Sequence, residues 1–138
     1  MNYDPRYLKG IELFNAREFF DAHEVWEELW HETHGEARNF IQGLIQAATA
    51  LHHFQNSNLK GAKLLYQSFG ELLAPYPDRF MGIDLKKFKG DMAACFQGLN
   101  PYSVEALPGR YNPNKEKFPV QVEESKIPVV PLPSHDAP

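Results

Sequence analysis

The chain has 138 residues, 43% of them hydrophobic and 23% charged, which suits one domain around a single core. A formal net charge of −4 argues against a nucleic-acid binder, which needs a basic face, and the single cysteine, Cys95, excludes an intramolecular disulfide and a cysteine-based zinc cage. The apolar runs are too short to span a bilayer and MNYDPRYLKG lacks the apolar core of a signal peptide, so a cytoplasmic protein with no membrane partner is expected.

Asp4-Pro5 is a helix start, an N-cap followed by Pro at the first helical position. Tyr7, Leu8, Ile11 and Phe14 give this first helix its apolar stripe. Asn15-Ala16-Arg17-Glu18 has capping-box spacing, which predicts a second helix from near Ala16 to about Thr33, with Gly35 as its stop. A third helix is expected from about Glu36 to Phe54, with Phe40, Leu44, Ala47, Leu51 and Phe54 on one stripe. Asn58 caps a fourth, to about Leu73, whose stripe is Ala62, Leu65, Tyr66, Phe69, Leu72 and Leu73. APYPDRFMGI reads as a loop. Asp84 caps a fifth, with Leu85, Phe88, Met92, Cys95, Phe96 and Leu99 facing inward. Cys95 in that stripe is an inert core thiol.

Eight of the eleven prolines lie between Pro101 and Pro138. The chain therefore divides into a helical domain over 4–100 and a Pro-rich extension over 101–138, extended or partly disordered. FPVQVEE and IPVVPLP are the extended pieces, and Val120, Val122, Ile127, Val129, Val130 and Leu132 favour packing over a free tail. No strand pattern precedes them. The fold class is all-α: a five-helix antiparallel bundle of two helix hairpins plus a closing helix. Gly10, Ala22 and Trp26, and less closely Gly43, Ala62 and Tyr66, fall at the spacing of a tetratricopeptide-like helix pair.

FFDAHEVWEELWHETHG in the second helix gathers the chemistry. At roughly 100° per residue, Phe19, Ala22, Trp26, Leu29, Trp30 and Thr33 form its core stripe. His23, Glu27 and His34 lie on the shoulder; Glu24, Glu28, His31 and Glu32 point towards solvent. That acidic face is either solvated or paired with Lys86, Lys87 and Lys89. On the third helix Gln42, Gln46, Thr49 and His53 share a polar side. His52-His53 and His31/His34 read as surface residues.

The zincin signature His-Glu-x-x-His is absent, because Glu27 stands at the second ligand position. A ferritin-like site needs Glu-x-x-His on two helices, and only Glu28 and His31 supply one copy. What remains is an orphan pair, His23 and Glu27: either the polar side of the third helix is simply solvated, or Gln46 meets the pair between the helices.

FDAHEVWEELW followed by RNFIQGLIQAATALHHFQNSNLKGAKLL resembles the bacterial and archaeal domain-of-unknown-function family numbered 309, over about residues 6–95. The resemblance implies an all-α bundle and an unassigned biochemical role. It carries over His23, Glu24, Glu27, Glu28 and Trp30 from the first motif, and Arg38, Gln42, Gly43, Gln46, His52, Gly61 and Ala62 from the second. The family has a basic residue after the motif Trp, where this chain has His31.

The functional expectation is a small ligand- or partner-binding scaffold, not an enzyme, with its polar cluster between the second and third helices. Its candidate residues are His23, Glu24, Glu27, Glu28, Trp30, Arg38, Gln42, Gln46 and His53. One alternative is a metal-dependent hydrolase in which His23 and Glu27 hold a divalent metal and Glu24 or Glu28 is the general base. Another is a tetratricopeptide-like interaction module, with the tail bound in cis or to a second subunit; a homodimer or a protein partner is expected.

Overall fold

In a computed structural model, which describes residues 2–109 and 120–133, five α-helices follow one another: α1 Pro5–Asn15, α2 Phe19–His31, α3 Glu36–Gln55, α4 Leu59–Leu73 and α5 Leu85–Phe96. Three of them begin on the side chain the sequence offers as a cap. Asp4 accepts from the Arg6 N–H at 2.8 Å, Asn58 from Gly61 at 3.0 Å and Asp84 from Lys87 at 3.1 Å. Each removes one of the unpaired donors that a helix start leaves.

The second start differs from expectation. Asn15-Ala16-Arg17-Glu18 does not open a helix near Ala16; it closes α1. Arg17 is left-handed (φ 65°), its N–H reaches the Phe14 carbonyl at 2.9 Å, and the Glu18 N–H reaches Leu13 at 2.9 Å. These are the two bonds of a Schellman ending, normally built on glycine. α3 ends the same way at Ser57 (φ 60°), with Ser57 to Phe54 at 3.2 Å and Asn58 to His53 at 2.8 Å. α2 then starts at Phe19 with no side-chain cap.

The fold is mostly helical but not all-α. Within the expected loop, β1 Arg79–Phe80 pairs antiparallel with β2 Ile83–Asp84, with Phe80 opposite Ile83. Met81 and Gly82 between them both have positive φ (47° and 76°), the backbone of a primed two-residue turn. Two-residue strands are too short to show alternation, which is why the sequence reads as a loop. Tyr7 pins the turn by donating to the Met81 carbonyl at 2.7 Å, and Phe80 packs its ring against Phe40 and Tyr76.

α1 packs on α2, α2 on α3 and α3 on α4. One run of touching rings crosses all five helices. It passes from Phe19 to Phe14 (5.0 Å between centroids), Phe88 (5.7 Å), Phe69 (5.5 Å), Tyr66 (6.2 Å), Phe96 (4.7 Å) and Phe54 (5.0 Å). Pairs of this kind contribute about 0.5–1.5 kcal/mol each beyond area burial. Gly10 lets α1 approach Trp26, since a Cβ there would overlap the indole, which donates to the Tyr7 carbonyl at 3.1 Å. Gly43 makes the equivalent room for Leu73 and not for Tyr66, so the second helix pair does not repeat the first. Cys95 is buried in the core and burial pushes its thiol up to about 11, out of the nucleophilic range.

Lys63 donates to the carbonyls of Leu99, at 3.0 Å, and Tyr102, fixing the chain that leaves α5, and Leu107 is buried. Further on, Ile127 and Val130 are buried, Val120 and Val122 partly so, while Val129 and Leu132 are half exposed. Asn15 holds this segment by its backbone, donating to the Val130 carbonyl at 2.7 Å and accepting from its N–H at 2.8 Å. Phe118 and Pro119 of the first expected extended piece, and residues 110–117 and 134–138, lie outside the described residues. No helix among the described residues is long and apolar enough to cross a membrane.

Candidate functional site

α2 turns Phe19, Ala22, Trp26 and Leu29 into the core and leaves His23 half-buried on the shoulder. The His23 ring sits between two oxygens: Nδ1 lies 3.0 Å from the Phe20 carbonyl and Nε2 lies 3.0 Å from Glu27 Oε2. A carbonyl only accepts, so Nδ1 carries the proton in the first contact. Both ring nitrogens are engaged within α2.

α3 lies alongside, its small residues Ala47, Ala48 and Ala50 fully buried. Between the two helices runs a groove of about 340 Å³. His23, Glu27 and Trp30 line it from α2, Gln42, Ile45, Gln46 and Thr49 from α3, and Leu65 of α4 closes one edge. The Thr49 hydroxyl spends its proton on the Ile45 carbonyl at 2.8 Å. Gln42 and Gln46 are half-buried and bond to no described residue. The Trp30 indole N–H is likewise buried with no acceptor among the described residues. Leaving a buried donor unpaired costs about 1–3 kcal/mol. Arg38 stacks over Trp30, its guanidinium carbon 3.9 Å from the ring centroid, and donates to the Thr33 carbonyl at 3.2 Å.

A second cavity of about 190 Å³ adjoins the first and shares His23 and Thr49 with it; Phe19, Phe20, His52 and His53 complete the wall. Phe20, half exposed, has its ring 5.4 Å from His23 and 5.5 Å from His52. His53 is half-buried, and its Nδ1 lies 3.1 Å from the Asn58 amide nitrogen. Burial, and then the neighbouring His52, lower its pKa. His52 and His53 are therefore not free surface residues, whereas His31 and His34 are exposed.

Of the nine candidates, His23, Glu27, Trp30, Gln42 and Gln46 meet in one groove; Arg38 touches it through Trp30, and His53 lines the adjoining cavity. Glu24 and Glu28 do not join them. Both are exposed, and Glu28 lies 3.8 Å from Arg6. The lysines of α5 do not meet the acidic face either. Arg6 does, reaching Glu32 at 2.6 Å, while Lys87 pairs with Asp91 at 2.6 Å and Lys89 donates to the Leu73 carbonyl at 2.8 Å. Hydrogen bonds from Arg6 hold the Asp4 and Glu32 carboxyls below their usual range.

The donor set is a poor fit to a catalytic metal. His23 and Glu27 supply two donors where a catalytic zinc takes three protein ligands, and no group of three or more His, Cys, Asp or Glu among the described residues is placed to hold an ion. Leu65 and Phe20 are site residues the sequence reading left out. Leu65 reads as core of α4 and reaches the groove only through the α3–α4 packing, which no local pattern encodes. Phe20 carried a signal: a second aromatic beside Phe19, on the polar side of the helix.

A mostly helical chain with a His-Glu-x-x-Glu-Glu-x-Trp helix against a Gln-bearing helix is defined by that pair of motifs. Residues 7–65 match the family model described as Domain of unknown function (DUF309). The match ends inside α4, short of the span to residue 95 that the resemblance suggested. Among curated proteins the chain is similar to an uncharacterized protein of Aquifex aeolicus (strain VF5), 37% identical over 78 residues, covering 55% of this chain and 23% of that one. It is also similar to the uncharacterized protein YpuF of Bacillus subtilis (strain 168), 38% identical over 65 residues, covering 46% of this chain and 37% of that one. The chain thus spans well under half the length of these relatives, and no biochemical function is assigned through them.

Proposed function

We propose that the protein is a binding domain, and that the groove between α2 and α3 takes a small polar ligand or the polar group of a protein partner. One observation carries the reading: two glutamines, one turn apart on α3, line the same groove as the His23–Glu27 pair, and neither amide has a partner among the described residues. Half-buried amides left unmatched are poor structural elements and good recognition elements. Both His23 nitrogens face oxygens of its own helix, the Phe20 carbonyl and Glu27, which favours a positioning role for the ring and so binding over hydrolysis. In this reading His23 holds Glu27, Gln42 and Gln46 contact the ligand, and Arg38 sets the plane of Trp30. Glu24 and Glu28 serve solubility. The scaffold is an antiparallel bundle of two helix hairpins closed by α5, over 4–100, followed by a Pro-rich extension over 101–138 whose described part, 120–133, packs on it. The succession of α1–α2, α2–α3 and α3–α4 packing supports that arrangement.

The two tryptophans give a direct test. Trp26 is buried and bonded to Tyr7, while Trp30 lines the groove. A screen of small polar fragments, read by nitrogen–proton NMR, is expected to find binders that move the Trp30 indole signal and the side-chain amides of Gln42 and Gln46 while leaving the Trp26 indole in place. A screen whose binders all act elsewhere would sink the proposal.

A further inference from the structure

On the reading that the α2–α3 groove is a binding site, we infer that its ligand is a neutral carboxamide joined by a short apolar link to an aromatic ring. The amide end follows from the lining. Gln42 and Gln46 each offer an acceptor oxygen and donor hydrogens in one planar group, and a ligand carboxamide offers the same pair in return. A carboxylate ligand would find no Lys or Arg among the groove's lining residues and would lie against the Glu27 carboxylate. An ammonium has donors only. It would leave the glutamine N–H groups unmatched, it would compete with His23 for Glu27, and Arg38 already occupies a face of Trp30.

The aromatic end follows from the adjoining cavity. Its wall is Phe19, Phe20, His52 and His53, and it shares His23 and Thr49 with the groove. Phe20 lies half exposed beside the imidazoles of His23 and His52, which offers flat apolar surface for a ring to stack on. The hydroxyl of Thr49, which lines both spaces, is turned to the Ile45 carbonyl, so it offers a ligand there no free hydroxyl proton. From Gln46 to His53 the helix rises about 10 Å, the length of an amide, two methylenes and a phenyl ring.

Three probes of one length separate the alternatives: hydrocinnamamide, hydrocinnamate and phenylpropylamine, titrated into the full chain with the Trp30 and Trp26 indole signals followed. Hydrocinnamamide is expected to shift Trp30 alone and to bind about tenfold tighter than either charged analogue, the scale of one hydrogen bond. Gln46→Leu is expected to erase that preference, and Phe20→Ala to weaken all three probes alike; an unchanged indole and amide spectrum in the free variants shows that they fold. An acid or amine that equals the amide, or an amide preference that survives Gln46→Leu, overturns the ligand class and leaves the groove standing. The class also falls if the three probes leave Trp30 still while other fragments bind the groove. If no fragment of any kind moves Trp30, the groove and the class fall together.

Discussion

A single ring, that of His53, links burial to pH. Its pKa is lowered by burial first and by His52 second, so the folded chain binds a proton there less readily than the unfolded chain. Stability from this residue is therefore full above the ordinary imidazole value of about 6.5 and is lost as pH falls through the lowered one. Melting temperatures taken between about pH 7.5 and about pH 5 should fall for the parent and fall less for His53→Gln, which keeps an acceptor for Asn58. Equal slopes would show that the ring takes up its proton without cost to the fold. The next acid step belongs to Asp4 and Glu32, whose carboxyls Arg6 holds below the usual range, so their contribution persists above about pH 4 and is lost as pH falls through their lowered values.

At the scale of elements, the two Schellman endings invite opposite treatment. Ser57 sits at φ 60°, where an L residue is strained by about 1–2 kcal/mol and glycine is not. Glycine also gains freedom in the unfolded chain, which returns part of that difference. Ser57→Gly should therefore stabilise by about 0.5–1 kcal/mol in urea denaturation, and a loss of stability would show that the serine side chain matters in a way its contacts do not suggest. Arg17 at φ 65° is no candidate, because it donates to the Glu124 carbonyl at 2.9 Å and pairs with that residue's carboxylate.

These endings also mark what a sequence can say. Asp4, Asn58 and Asp84 were readable as caps because each acts within three residues of itself. The Asn15-to-Glu18 spacing was ambiguous, since the same four residues serve a helix start or a left-handed stop, and only the position of α2 decides. The hairpin was hidden because Met81-Gly82 lacks the Asn or Asp that announces a primed turn. Helical angles put His23 and Glu27 on the shoulder beside α3 and Gln42 and Gln46 on its polar side. The Arg6–Glu32 contact, 26 residues apart, and the reach of Leu65 into the groove depend on packing that no local pattern records.

For the whole molecule, the segment from Val120 to Pro133 contributes to stability instead of hanging free. Ile127 and Val130 are 6% and 5% exposed, and Asn15 holds Val130 by both its N–H and its carbonyl. Burying such side chains is worth about 1.5–3 kcal/mol each. A chain ending before Val120 should lose about 3–5 kcal/mol in denaturant unfolding and melt earlier; an unchanged midpoint would mean that the segment rests on the helices without stabilising them.

The run of rings through the five helices carries a last consequence. The stretch that matches the family model stops at residue 65, halfway along α4. Phe14, Phe19 and Phe54 lie inside it; Tyr66, Phe69, Phe88 and Phe96, the rings that join them, lie beyond. A fragment cut where the likeness ends would expose bare ring edges on two sides. The length that matches the family model and the length that buries its own rings are therefore different, and the second is the longer.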